Sequence, residues 1–180
     1  MNRCKWLNLN NPTYVRYHDE EWGKPKYNDK ELFELLILEM FQAGLSWECI
    51  LNKRDSFRLV FDNFDYNIIS NYNDDKVNEL LNNKNIIRNK LKINATINNA
   101  KVFIEIQKEY KTFSNYIWSF TNNQIIKNMD DTLKVSSDLS DEISKDLKRR
   151  GMKFVGTIII YSYLQAIGII DDHELSCICY

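Results

Sequence analysis

One stretch constrains this chain more than any other: Asp29 to Trp47, DKELFELLILEMFQAGLSW. From Leu32 to Phe41 apolar side chains fill nearly every position, a pattern that suits a helix buried around most of its circumference. Asn28, three residues ahead of Glu31, resembles a capping box and predicts the helix start. Gly44 predicts its end, and Ser46 is placed to cap a following helix near Trp47. Positions 32, 35, 36 and 39 share one face at helical spacing, so Glu39 projects from the same stripe as Leu32, Leu35 and Leu36. An unpaired carboxylate buried there would be costly. Two readings stay open: Glu39 is ion-paired inside the protein, or it borders a cavity that a ligand's donors enter. Trp47, just past the Gly44 turn, brings an aromatic face near that acid.

With 180 residues, 44% hydrophobic and 27% charged, the chain is expected to form one all-α domain with a single core. No apolar run approaches membrane-spanning length, and MNRCKWLNLNN lacks a signal-peptide core. The expected location is therefore the cytoplasm, with no membrane partner. Four cysteines in that compartment point to metal ligands or buried thiols rather than a disulfide framework. A formal net charge of −1 gives no overall attraction to nucleic acid, so a DNA-binding chain of this composition must gather positive charge on one face. The abundance of Asn and Lys reads as compositional bias.

Along the chain, residues 1–28 are dense in aromatics and carry turn signals at Pro12 and Gly23-Lys24-Pro25, so little regular structure is expected there. SWECILNKRDSFRLVF fits one amphipathic helix with a basic outer face, broken at Asp62 to Asp65. Shorter helical patterns cover Tyr66 to Tyr72 and Asp75 to Leu81. A helix ending near Asn82 is then joined through Lys84 to Ile87 to a long helix, forming a helical hairpin. Asn85, Arg88, Lys90 and Lys92 surround it; they suit a DNA phosphate at a helix N-terminus, or are a solvated helix end. TFSNYIWSF predicts a short helix, and Thr121 to Leu139 a surface loop. Ser140 is expected to cap DEISKDLKRR, with Gly151 as the stop, and Lys148, Arg149, Arg150 and Lys153 form the densest basic cluster. TIIIYSYLQAI predicts a buried helix closed by Gly168, and no strand pair is expected.

The two histidines, His18 and His173, each lie in a terminal segment that also holds cysteine. Cys4 and His18 with His173 and Cys177 would make a two-sulfur, two-nitrogen set for one tetrahedral, structural zinc, with Cys179 competing with Cys177. The alternative is unliganded buried Cys and His. The terminal segments 1–28 and 169–180 would form this part of the single domain, 1–180. His18-Asp19-Glu20 has the form of a zinc-deaminase motif but lacks its cysteine partner sequence, and His173 to Cys177 resembles a metalloprotease motif outside a helical pattern.

RCKW at Arg3 to Trp6, YHDEEWGKP at Tyr17 to Pro25, FQAGLSW at Phe41 to Trp47, the hairpin at Asn85 to Arg88, YIWSF, RRGMKFVGT and DHELSCICY together resemble 3-methyladenine DNA glycosylase I. This family is a zinc-containing branch of the helix-hairpin-helix DNA glycosylases. The resemblance implies hydrolysis of the N-glycosidic bond of 3-methyladenine in alkylated double-stranded DNA, by a monomer acting on a flipped base. It implies zinc at Cys4, His18, His173 and Cys177, and a base pocket of Tyr14, Tyr17, Trp22, Glu39 and Trp47. Gly44 and Leu45 are expected at the DNA, Leu45 as the wedge filling the gap, with Asn85, Arg88, Lys90, Arg149 and Lys153 on phosphates. A cationic methylated base suits aromatic faces around one carboxylate, and its charge already weakens the bond to the sugar. Glu39 is accordingly expected to recognise the base, with any general-base role open. The hairpin has no glycine, which departs from the wider superfamily. The rivals are a same-fold enzyme for another lesion and a zinc-stapled lesion-binding protein without catalysis.

Overall fold

The expected buried helix is the centre of the molecule. The computed structural model describes residues 2–129, 132 and 134–180. In it α2 (Asp29–Gln42) buries every side chain from Leu32 to Phe41. The Asn28 side chain caps it by accepting from the backbone N–H groups of Lys30 and Glu31. Gly44, at φ +83°, turns the chain out of it. Ser46 then caps α3 (Trp47–Leu51) by accepting from the Cys49 N–H.

The other helices are α1 (Pro12–Glu20), α4 (Arg54–Val60), α5 (Tyr66–Ile69), α6 (Asp74–Asn82), α7 (Lys90–Tyr110), α8 (Phe113–Ser119), α9 (Asp138–Arg149) and α10 (Thr157–Ala166). Helix α2 packs against α3, α7, α8 and α10, and α9 covers α10. Their apolar faces merge into one core, in which Phe33, Phe41, Phe57, Phe61, Phe103, Phe113 and Trp118 are fully buried. Part of the asparagine excess is structural, since Asn11, Asn28, Asn73 and Asn89 cap α1, α2, α6 and α7. Among the described residues no helix is long and apolar enough to cross a membrane.

Several expectations are corrected. The N-terminal segment contains α1, because Pro12 occupies a first-turn position of a helix, where its missing N–H costs nothing. The single amphipathic helix after Ser46 is two, α3 and α4, parted at Asn52 and Lys53, where the Lys53 backbone leaves the helical conformation, and Arg54 and Arg58 of its expected basic face pair with Glu34. Ser137, not Ser140, caps α9, and Ser140 is its capping-box mate. The Tyr66 helix stops at Ile69.

A short strand pair also exists: β1 (Ile126–Lys127) runs parallel to β2 (Ile170–Asp171), and Asn2 bridges to Cys177. The loop expected from Thr121 to Leu139 therefore contains a strand; residues 130, 131 and 133 of it lie outside the described residues. The pair formed by α6, the turn at 83–89 and α7 stands where the sequence puts its helical hairpin.

Candidate active site and metal centre

Helix α2 carries two buried acids, and the difference between them defines the site. Glu34 is ion-paired: Arg54 Nε lies 2.5 Å and Arg58 Nη2 2.9 Å from its Oε1. Glu39, five residues on and 4% exposed, has Oε2 buried with no hydrogen-bond partner among the described residues. Burial alone pushes its carboxyl up to about 8. The sequence pattern leads to a single charge on the apolar stripe; the structure shows two, and only Glu34 takes the ion-pair outcome.

Glu39 lies on the wall of a cavity of about 480 Å³. The cavity also takes in Tyr14, Tyr17, Trp22 and Trp47, so the five residues expected at a base pocket come together. Tyr17 and Trp47 pack at a tilt of 51° with ring centroids 5.4 Å apart. Trp47 Nε1 is buried and, among the described residues, has no acceptor. The Trp47 donor and the Glu39 oxygen thus stand unused on an aromatic-walled cavity, with Asp172 Oδ1 a second buried carboxylate oxygen of its lining without a partner among the described residues, an arrangement that suits a flat heteroaromatic ligand. Burial and the nearby Glu39 carboxyl push the Tyr17 phenol well above its ordinary range, so it is a neutral hydroxyl.

Sequence reasoning missed part of the lining. Trp6 packs edge-on to Trp22 at 4.9 Å and against Tyr14 at 5.4 Å, and Gln42 follows Glu39 on the last turn of α2. Asp172 lines the cavity with Oδ2 accepting from Tyr161 Oη at 2.7 Å and Gln165 Nε2 at 2.6 Å. Tyr161 and Gln165, one turn apart on an otherwise apolar helix, were the legible signal for this wall.

A Cys/His group that could hold a metal adjoins the cavity, because His173 lines it and Trp22 packs on the His173 ring at a centroid distance of 4.6 Å. One donor atom from each of His18, His173, Cys177 and Cys179 lies within 4.8 Å of the others. His18 Nδ1 donates to Asp19 Oδ1 at 2.8 Å, and His173 Nδ1 to Asp171 Oδ1 at 2.7 Å. Both rings are thereby fixed with Nε2 free to serve as the ligand atom. His18 Nε2 sits 3.5 Å from Cys177 Sγ, and His173 Nε2 is buried with no partner among the described residues. Burial lowers the His18 pKa, which keeps the ring neutral. The Arg3 guanidinium, bound to both oxygens of Asp19, holds that carboxyl down at about 2, anionic.

The tight group thus contains Cys179 where the sequence-based set has Cys4. Cys4 is nonetheless buried against Cys177, and its sulfur accepts the Glu174 N–H at 3.5 Å. Cys177 similarly accepts the Cys179 N–H at 3.4 Å, whereas Cys179 Sγ points to the Asp19 carbonyl at 4.0 Å. The remaining sites of the sequence reading lie outside the cavity. Leu45 is 41% exposed on the α2–α3 turn beside Gly44, and Asn85, Arg88, Lys90, Arg149 and Lys153 are exposed.

Two basic residues are not available to a partner. Lys92 is buried, its Nζ donating to the Phe41 and Ala43 carbonyls at 2.8 and 2.7 Å, so it closes the C-terminus of α2. Arg150 is held by Glu109 and Asp146 and stacks on Tyr110 and Tyr116.

The methyladenine glycosylase family profile matches residues 6–180. The DNA-3-methyladenine glycosylase 1 of Escherichia coli (strain K12) is 42% identical over 183 residues, covering 100% of this chain and 97% of that protein. A crystal structure of a 3-methyladenine DNA glycosylase I superposes with a TM-score of 0.96 at 40% identity, over 99% of this chain and 100% of its own. The structure described as the basis of 3-methyladenine recognition by the Staphylococcus aureus enzyme gives 0.95 at 33% identity, over 99% and 96%. The chain belongs to the methyladenine glycosylase family.

Proposed function

We propose that this protein hydrolyses the N-glycosidic bond of 3-methyladenine in alkylated duplex DNA and releases the free base. One observation carries the reading: a buried carboxyl, Glu39, on the wall of the cavity that Tyr17 and Trp47 also line, with its Oε2 without a hydrogen-bond partner among the described residues. A protein that needed this acid only for folding would pair it, as it pairs Glu34. A methylated adenine in DNA carries a positive charge, so it supplies the missing partner and gains from the aromatic faces as neutral adenine does not. The same charge already weakens the bond to the sugar. The protein therefore has to flip the nucleotide, hold the base in Tyr14, Tyr17, Trp22, Glu39 and Trp47, and admit water; no strong acid is required.

The DNA face is assigned to Gly44 and Leu45 at the mouth, to Asn85, Arg88 and Lys90 as a helix-hairpin-helix phosphate site, and to Arg149 and Lys153. Leu45 supports this by standing exposed three residues beyond Gln42, which lines the cavity. We read the enzyme as a cytoplasmic monomer acting on double-stranded DNA.

We also assign one structural zinc to Cys4, His18, His173 and Cys177. The carboxylate-oriented histidines and the unpartnered His173 Nε2 support a metal there. A backbone N–H is directed at each of the Cys4 and Cys177 sulfurs, which supports these two as the sulfur ligands, and since burial pushes the metal-free Cys4 thiol up to about 12, its thiolate would need the metal's own charge. Zinc bound by four protein groups supplies no open coordination position; it ties the first and last segments together behind Trp22. Incubating the protein with methylated duplex DNA and identifying the released bases tests the function. Release of 3-methyladenine supports it, whereas binding without release leaves a lesion-binding protein.

A further inference from the structure

The loop between α9 and α10 holds an exposed aromatic in a conformation that it should avoid. Phe154 sits at φ +56°, in the left-handed region where a bulky side chain is strained. It is nonetheless 38% exposed, so core packing does not account for the strain. Its surroundings enforce it. The fully buried Asn99 of α7 clamps Lys153, accepting from its N–H at 2.8 Å and donating to its carbonyl at 2.9 Å. Asn98 donates to the Gly151 carbonyl at 2.8 Å, and Ser144 Oγ to the Val155 carbonyl at 2.6 Å. Met152 and Val155 on either side are buried. The backbone is thus pinned at three points, and Lys153 and Phe154 are turned outward as a rigid pair.

Phe154 also stands at a telling place. Asn99, which holds this loop, contacts Met40 Sδ on α2 at 3.8 Å. Lys92, seven residues earlier on α7, holds the end of α2 that leads into Gly44 and Leu45. The two outward loops are therefore docked on the same long helix about 10 Å apart along its axis, a distance of roughly three base steps. Ile158, four residues after Phe154, and Gln42, three before Leu45, both line the cavity. Phe154 and Leu45 therefore each lie within three or four residues of the cavity wall.

We propose that Phe154 is a second, aromatic wedge that stacks on a base of the duplex beside the extruded nucleotide, while Leu45 fills the gap. This rests on the glycosylase reading above. An aromatic face suits any base, because every base presents a π-face, and a pinned loop avoids the entropy of ordering the ring on binding. Lys153, its neighbour in the same clamp, would meet the adjoining phosphate.

The test uses the full-length protein and a duplex carrying a tetrahydrofuran abasic analogue, with the fluorescent base 2-aminopurine placed next to it. Wild-type binding should raise the fluorescence as the neighbouring stack opens. Phe154→Ala should lose most of that rise and weaken binding roughly five- to a hundredfold, while affinity for free 3-methyladenine stays the same. Phe154→Trp should restore both. Phe154→Gly separates function from fold: it relieves the left-handed strain, so Tm should hold or rise while excision from methylated duplex falls. Phe154 variants that match the wild type on DNA, or a Phe154→Gly protein whose activity falls only in step with its Tm, would overturn the wedge and leave the glycosylase reading standing. A wild-type protein that releases no base would overturn both.

Discussion

Replacing Glu39 by Gln should change stability in a way that depends on pH. In the folded chain burial holds this carboxyl at about 8, against an ordinary 4.5, and among the described residues its Oε2 has no hydrogen-bond partner. An acid raised on folding contributes fully to stability below its unfolded pKa, and that contribution is lost as pH rises through the folded value. At about 1.4 kcal/mol per pH unit, the loss reaches about 3 kcal/mol at pH 7 and levels off near 5 kcal/mol above pH 8. Gln keeps the shape and does not titrate. The stability of Glu39→Gln relative to wild type should therefore be smallest near pH 4.5 and grow by about 3 kcal/mol by pH 7. Any fixed cost of burying the amide shifts the whole curve without altering its slope. Urea denaturation of both proteins at several pH values between 4.5 and 8 reads this out. The same variant should bind 3-methyladenine roughly ten- to a hundredfold more weakly, the worth of one charge-assisted hydrogen bond, with a smaller loss for adenine, and excision should fall. A stability difference that is flat across this pH range, or a variant that unfolds while keeping its base affinity, would refute the reasoning.

Glu34→Gln, five positions away, should act oppositely, destabilising by about 1–3 kcal/mol near neutral pH because Arg54 and Arg58 lose their buried acceptor; thermal or urea melts decide it. Metal analysis of the purified protein should find about one zinc per chain. Cys177→Ser and Cys4→Ser should lose it while Cys179→Ser retains it, and the reverse outcome for the last two would move the fourth ligand to Cys179. Converting Arg149 and Lys153 to Glu should weaken binding to any duplex and reduce the slope of log affinity against log salt by roughly one to two. Equal binding at low and moderate salt would remove these residues from the DNA face.

What the sequence determined by itself was largely local. The apolar run in α2, the caps at Asn28 and Ser46 and the glycines after α2, α9 and α10 fix where elements begin and end, because these depend on neighbours within one or two turns. The aromatic and Cys/His motifs carried the family and brought Tyr17, Glu39 and Trp47 into view. The tertiary structure decided which charges have partners. Glu34 and Glu39 look alike on paper, yet Arg54 and Arg58 reach only the first. Lys92 resembles its basic neighbours Arg88 and Lys90 until α7 docks on α2 and directs it to the Phe41 and Ala43 carbonyls. Trp6 and Asp172 enter the cavity, and Cys179 joins His18, His173 and Cys177, only when the two ends of the chain meet. A buried charge takes its energy from atoms that can lie more than 50 residues away, as for Lys92 and Phe41, and the local periodicity of one helix carries no record of them.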